Sequence, residues 1–182
     1  MEHSTIDQVD GHILAILQEN CKLPLVKIGE RVGLSAPSVI DRIKKLEEAG
    51  IIKSYTAVLD SKRLGKDITS FIGVSINHPK LISQFEGEID RFAEIQECHH
   101  VTGEYTLLLK VKANSTSDLE ELIRKIRSLE GVQRTETTVV LSTHTEGLRL
   151  SLPGPVLNGS PKPELNGASL AKKTSKRPSE RK

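Results

Sequence analysis

The apolar residues of this chain change their spacing repeatedly, and the order of those changes leaves few folds open. "ITSFIGVSI" (68–76) reads as a strand. Pro79 then opens a helix whose apolar positions are Leu81, Ile82, Phe85, Ile89 and Phe92. "EIQECHHV" and "YTLLLKVK" read as two strands joined by a tight turn at Thr102-Gly103-Glu104. Ser117 is expected to cap a further helix, with Glu120 completing a capping box. The core face of that helix is Leu119, Leu122, Ile123, Ile126 and Leu129, and Gly131 ends it; "TETTVVLS" is the last strand. The order β-α-β-β-α-β is that of a ferredoxin-like αβ plait, with two helices on one face of a four-stranded antiparallel sheet. The other face is expected to stay uncovered, to carry apolar residues and to act as an association surface.

Ahead of the plait the spacing is helical. Val9, Ile13, Leu14, Ile16 and Leu17 form one apolar stripe, which "CKLP" interrupts. Leu25, Ile28 and Val32 make a short second helix ending at Gly33. Ser35 then supplies an N-cap, and Pro37 sits in the first turn of a third helix, where its missing N–H does no harm. Val39, Ile43 and Leu46 are the buried stripe of that helix, and Gly50 stops it. "YTAVL" follows as a strand. The fold class is therefore α+β. A winged-type helix-turn-helix domain spans 6–60 (motif 25–44), a ferredoxin-like domain 61–147 and a disordered basic tail 148–182.

Charge is distributed unevenly among these segments. Residues 1–62 hold 8 Lys/Arg against 9 Asp/Glu, and residues 63–147 hold 10 against 13. Residues 148–182 hold 8 against 2 and are rich in Pro, Gly, Ser and Asn. Such a segment buries too little surface to offset its ordering entropy, so it reads as disordered. The net charge of +2 thus says little about what the folded part binds. No run of about 18 apolar residues is present, so no membrane span is expected. The N-terminal stretch has no basic patch followed by an apolar run, so a cytoplasmic protein is expected. Cys21 and Cys98 are too far apart in sequence to suggest a disulfide framework or a metal knuckle.

Two short helices around a Gly-containing turn fit a helix-turn-helix. Its partner would be double-stranded DNA. Ser35, Ala36, Ser38 and Asp41, near the start of the third helix, are placed to reach base edges. Arg42 and Lys45, further along, are placed to reach bases or phosphates. Asp41, Glu47 and Glu48 oppose phosphate, and a three-helix cap with a solvated charged face has the same pattern.

A resemblance separates these readings. Residues 6–60, with the Asp7/Asp10 start, the "ERVGLS" turn, the S-V-x-x-R-I-K-x-L-E third helix and the "GII-x-x-Y-T-A" exit, resemble the DNA-binding domain of Lrp/AsnC transcriptional regulators. The resemblance continues through "EIQECHHVTGEYTLLLKV" and "LEGVQRTETTVVLST" and covers about residues 6–145. It implies a sequence-specific regulator, not an enzyme. It also implies that the strand at 54–59 links the domains and helps pair subunits, and that plaits pair into homodimers that assemble into tetramers or octamers. At Gly29 the family usually has Ala. A helical Gly costs roughly 0.5–1 kcal/mol relative to Ala, so a softer second helix is expected.

The resemblance further implies an amino-acid effector site, with no other cofactor, at the turn between the two middle strands. The turn reads Gly103-Glu104-Tyr105-Thr106, where the family pattern is Gly-Asp-Tyr-Asp, and Thr138 and Val140 form the opposite wall. Glu104 keeps a carboxylate, but Thr106 offers a hydroxyl in place of the second acid. The same residues also suit a plain hairpin at a subunit contact. His99 and His100 are neighbours on a strand, so only one can face a shared site with Cys98; ordinary strand residues rather than metal ligands are expected. No nucleophilic triad or phosphate loop is evident, and no catalytic residue is expected. The alternative is a tetrapyrrole-processing enzyme related to sirohaem decarboxylases. The absence of Trp and an aromatic content of 3% argue against it.

Overall fold

The structure is a computed structural model and describes residues 6–152. These divide into two compact units, residues 6–52 with 150–152, and Lys53–Arg149.

The first unit is helical: α1 (Gln8–Glu19), α2 (Leu25–Val32) and α3 (Ala36–Glu48). Asp7 and Asp10 open α1 as a reciprocal capping box. Asp10 N–H donates to Asp7 Oδ1 (2.8 Å), and Asp7 N–H donates to Asp10 Oδ2 (3.3 Å). Pro24 stands at the N-cap of α2, and Gly33 closes that helix with φ +71°, a conformation that suits glycine. Ser35 caps α3 by accepting from Ser38 N–H. Ile13, Ile16, Ile28 and Val39 are buried where the three helices meet, with Val9, Leu17, Val32 and Ile43 packed around them.

Gly29 is a correction to the softer helix expected there. A Cβ at Gly29 would collide with the carbonyl oxygen of Leu34, and Gly29 O itself accepts from Leu34 N–H at 3.0 Å. The turn between α2 and α3 folds back so closely that a side chain is excluded. Here glycine serves close approach.

The second unit carries β1 (Ile68–Ile76), α4 (Ile82–Ile89), β2 (Ile95–His100), β3 (Leu107–Ala113), α5 (Thr116–Arg127) and β4 (Val132–Val139). The strands form one antiparallel sheet in the order β2-β3-β1-β4, the ferredoxin-like arrangement. Ile72 and Val74 of β1 and Leu107, Leu109, Val111 and Ala113 of β3 alternate onto the helix side. They pack with Phe85 and Ile89 of α4 and Leu119, Leu122 and Ile126 of α5.

Several expectations change here. Pro79–Leu81 form a short 3-10 turn, and the α-helix begins only at Ile82. The cap of α5 is Ser115, accepting from Asp118 N–H, two residues before the expected Ser117; the equivalent serine-to-acid spacing at 115–118 wins because it lies at the true helix start. That helix ends at Arg127, and Gly131 (φ +84°) belongs to the following turn. Residues 54–59 form no strand among the described residues. A strand needs a ladder for its N–H and C=O groups, and the ladders among the described residues join only β1, β2, β3 and β4. Residues 53–60 also group with the second unit.

The sheet face away from the helices is less apolar than expected. Phe71 and Leu108 lie on it, but so do Lys110 and Lys112, because β3 alternates its lysines with the core residues. Glu97 meets Lys110 at 3.0 Å, Glu146 meets Lys110 at 3.0 Å and Lys112 at 3.5 Å, and Lys112 Nζ donates to Ser61 Oγ at 3.3 Å. Lys112 is 8% exposed. The Glu146 carboxylate and the Ser61 hydroxyl are the partners that permit Lys112 so little water.

Residues 148–152, the start of the expected tail, have no helix or strand. Within the helical unit the backbone of Leu150 is bound on both sides by Gln18: Leu150 N–H donates to Oε1 (2.7 Å) and its carbonyl accepts from Nε2 (3.2 Å). The rest of the expected disordered tail, 153–182, lies outside the described residues.

Candidate nucleic-acid interface and effector site

The αL turn at Gly33 and the Ser35 cap present the start of α3 outward. Ser35, Ser38, Asp41 and Lys45 are exposed, and Ala36 is half-buried as the first helical residue. Ser35 Oγ and Ser38 Oγ are 2.9 Å apart, so each hydroxyl has a partner while remaining at the surface. Pro37 and Lys44 are exposed on the same side. The helical period already sets Lys44 on the outer face of this helix in the sequence, although it is not among the DNA contacts expected there. Lys44 lies five residues from Val39 and two from Leu46, about 140–160° from the buried stripe at 100° per residue.

Arg42 is placed differently. It is three residues from Val39 and four from Leu46, about 40–60° from the buried stripe. Its Nη1 donates to Asp7 Oδ2 at 2.7 Å and to Asp10 Oδ1 at 2.8 Å. Its side chain is 32% exposed and that of Asp10 16%. The Asp10 N–H and the Arg42 guanidinium hold the Asp7 carboxyl below its ordinary value, and Asp10 and Asp7 raise Arg42 in turn. Ser38, Asp41, Arg42 and Lys45 line one side of an open hollow whose other side is Asp7 and Asp10.

In the second unit the expected tight turn is a six-residue loop, 101–106, fastened at its far end. Gly103 has φ +127°, which a side chain would resist. Val101 N–H donates to Thr106 O (3.2 Å), and Thr106 N–H donates to Val74 O (2.9 Å). Thr106 Oγ1 accepts from Ile76 N–H at 3.1 Å. The hydroxyl that replaces an acid is thus engaged by the backbone of β1. Tyr105 lies flat over Gly73: a Cβ there would be 2.6 Å from the ring. The Glu136 carboxylate accepts from the Tyr105 hydroxyl and pushes its pKa above the ordinary value.

Glu104 meets Arg134 at 3.1 Å, and Arg134 meets Glu136 at 2.7 Å. Glu104 and Tyr105 are therefore gathered with Arg134 and Glu136, neither of which the sequence reading included. Period-two alternation along β4 could have found both, since it sets 134, 136 and Thr138 on one face. Thr138 stands opposite Phe71, and Val140 N–H donates to Thr69 O at 2.9 Å just beyond the strand.

His99 pairs with Leu108, and Cys98 and His100 pair with Leu109 and Leu107, so the two histidines face opposite sides. His99 Nε2 is 3.1 Å from Glu97. Among the described residues no group of three or more His, Cys, Asp or Glu is placed to hold a metal, and no helix is long and apolar enough to cross a membrane.

The AsnC-type helix-turn-helix domain profile matches residues 6–47, and the Lrp/AsnC ligand binding domain profile matches residues 69–150. The chain belongs to the Lrp/AsnC family of transcriptional regulators. It is 34% identical over 147 residues to the HTH-type transcriptional regulator FL11 of Pyrococcus horikoshii, covering 81% of this chain and 97% of that one. A transcriptional regulator of Neisseria meningitidis solved in complex with L-methionine is similar with TM-score 0.78 and 31% identity, covering 82% of this chain and 98% of that one. The structure of Escherichia coli AsnC is similar with TM-score 0.75 and 29% identity, covering 80% and 98%. These are regulators, and the tetrapyrrole-enzyme alternative finds no support among them.

Proposed function

We propose that this Lrp/AsnC regulator reads DNA with the outer face of α3 and that an amino acid held at the loop 101–106 modulates its activity. The observation that carries the reading is the capped start of α3, turned outward by Gly33, with Ser35, Pro37, Ser38, Asp41, Lys44 and Lys45 on one exposed surface. Asp41 selects against misplaced phosphate and suits a base-edge donor such as cytosine N4. Lys44 and Lys45 supply phosphate contacts. One such helix is weakly charged, so affinity comes from presentation in pairs, at half-sites about 34 Å or a multiple apart.

The effector is an α-amino acid, a reading supported by the ligand-binding family profile and by the L-methionine bound to the Neisseria relative. Glu104 and Glu136 offer carboxylates to its ammonium group and Arg134 offers its guanidinium to the carboxylate. Thr138 and Val140 form the wall contributed by β4. The chain acts as a homodimer assembling into tetramers or octamers, in the cytoplasm with the DNA it reads. Residues 54–59, which form no strand among the described residues, pair as strands with the same segment of a second copy. Light scattering on the purified chain would find assemblies of at least two copies; a monomer at micromolar concentration would overturn that part.

Sequencing the genomic fragments captured by the purified chain, with and without an amino-acid pool, tests both domains. A shared motif with two half-sites, whose occupancy shifts with the pool, is expected. Fragments with no common motif would overturn the reading.

A further inference from the structure

We propose that Arg42 is a positioning residue that fixes α3 against the start of α1, and that Lys44 rather than Arg42 belongs to the DNA-reading face. The second half rests on the DNA reading above; the first does not.

The geometry is a closed set of partners. Asp7 uses Oδ1 for the N–H of Asp10 and Oδ2 for Arg42. Asp10 uses Oδ2 for the N–H of Asp7 and Oδ1 for the same guanidinium nitrogen. All four carboxylate oxygens are thus engaged, and the capping box of α1 and the clamp on α3 are one structure. The two ion pairs span 35 and 32 residues of sequence. Charge-assisted bonds of this kind are the strong ones, and arginine at a partly shielded, multiply bonded site is not interchangeable with lysine.

A phosphate would have to displace two carboxylates already bound at 2.7 and 2.8 Å. Freed from the guanidinium, those carboxylates would face the same phosphate and repel it. Lys44 has no such conflict: it is exposed, and it points away from the buried stripe.

The test uses the full chain with Asp10→Asn, Arg42→Gln, the double variant, Arg42→Lys and Lys44→Gln. Thermal unfolding without DNA is measured first. Each of the first two single variants lowers Tm, and the double variant falls by less than the sum of the two, because the Asp10–Arg42 pair is lost in both. Arg42→Lys, which keeps the charge on a shorter side chain, reaches the two carboxylates less well and recovers only part of the loss. Additive losses in the double variant, or an unchanged Tm in Arg42→Gln, would overturn the clamp.

Binding to a captured duplex and to an unrelated duplex is then followed from about 50 to 200 mM salt. Arg42→Gln weakens the captured duplex but leaves the slope of log K against log[salt] unchanged on both. Lys44→Gln lowers the slope by about 0.9, the value for one phosphate contact, with no change in Tm. The reverse assignment of slopes would return Arg42 to the reading face. If neither duplex binds, the DNA reading fails and takes the Lys44 half with it, while the unfolding cycle still decides the clamp.

Discussion

Single side chains at the two sites are held by residues distant in sequence, Arg42 by Asp7 and Asp10 and Thr106 by Ile76. Gly73 is the sharpest case: its missing Cβ is what lets the Tyr105 ring lie on β1, and the ring in turn carries the hydroxyl to Glu136. Gly73→Ala should therefore lift Tyr105 and disturb the loop, with an overpacking cost of about 1–3 kcal/mol. The chain has two tyrosines and no tryptophan, so tyrosine emission reports the change directly. The variant should show altered emission and a weakened amino-acid response while its ligand-free DNA binding persists; unaltered emission would show that the ring does not depend on the gap. Sequence alone showed Gly103 as a turn residue because its neighbours are turn-like. It gave no hint of Gly73, whose requirement comes from a ring 32 positions later.

Elements in this protein are set by local spacing and adjusted by their neighbours. The period of α3 and its Ser35 cap were legible, as was the end of α2 at Gly33. Gly29 was misread as a softening because helix propensity considers only the helix. The carbonyl of Leu34 that excludes a Cβ belongs to the turn beyond it. Gly29→Ala should lose about 1–3 kcal/mol by forcing backbone apart, which outweighs the roughly 0.5–1 kcal/mol gained in helix propensity. A lower Tm, with weaker DNA binding because the turn is displaced, is the expected result. A higher Tm would show that the turn yields easily. Residues 54–59 make the complementary point: their composition suits a strand, yet among the described residues they form none.

Across the whole molecule, charge decides what the surfaces do. On the open sheet face His99 and Lys110 lower Glu97, Lys110 lowers Glu146, and Glu97 and Glu146 raise Lys110 above its ordinary 10.5. The carboxylates' contribution is fully present above their ordinary 4.5 and is lost as pH falls through their depressed folded values. The lysine's contribution is present below 10.5 and lost as pH rises through its higher folded value. Lys110→Met should thus lower Tm near neutral pH, and the gap to the native chain should narrow on acidification below 4.5. A gap independent of pH would show that the ion pairs contribute nothing. The segment 148–182, with 8 Lys/Arg against 2 Asp/Glu, should add sequence-independent phosphate contacts. Truncation after residue 152 should flatten the salt dependence of non-specific DNA binding; an identical slope would rule those contacts out.

The sequence by itself determined the helix-turn-helix and the plait, because apolar period and capping act between residues a few positions apart, and its motifs carried the resemblance to the family. Only the tertiary structure decided where Arg42 went, what Thr106 bonds to, why Gly29 and Gly73 are bare, and that lysines share the open sheet face with Phe71. Each depends on two segments meeting across tens of residues. In the sequence Arg42 reads as a base or phosphate contact, and the meeting of α3 with α1 instead leaves it beside the two carboxylates that cap that helix.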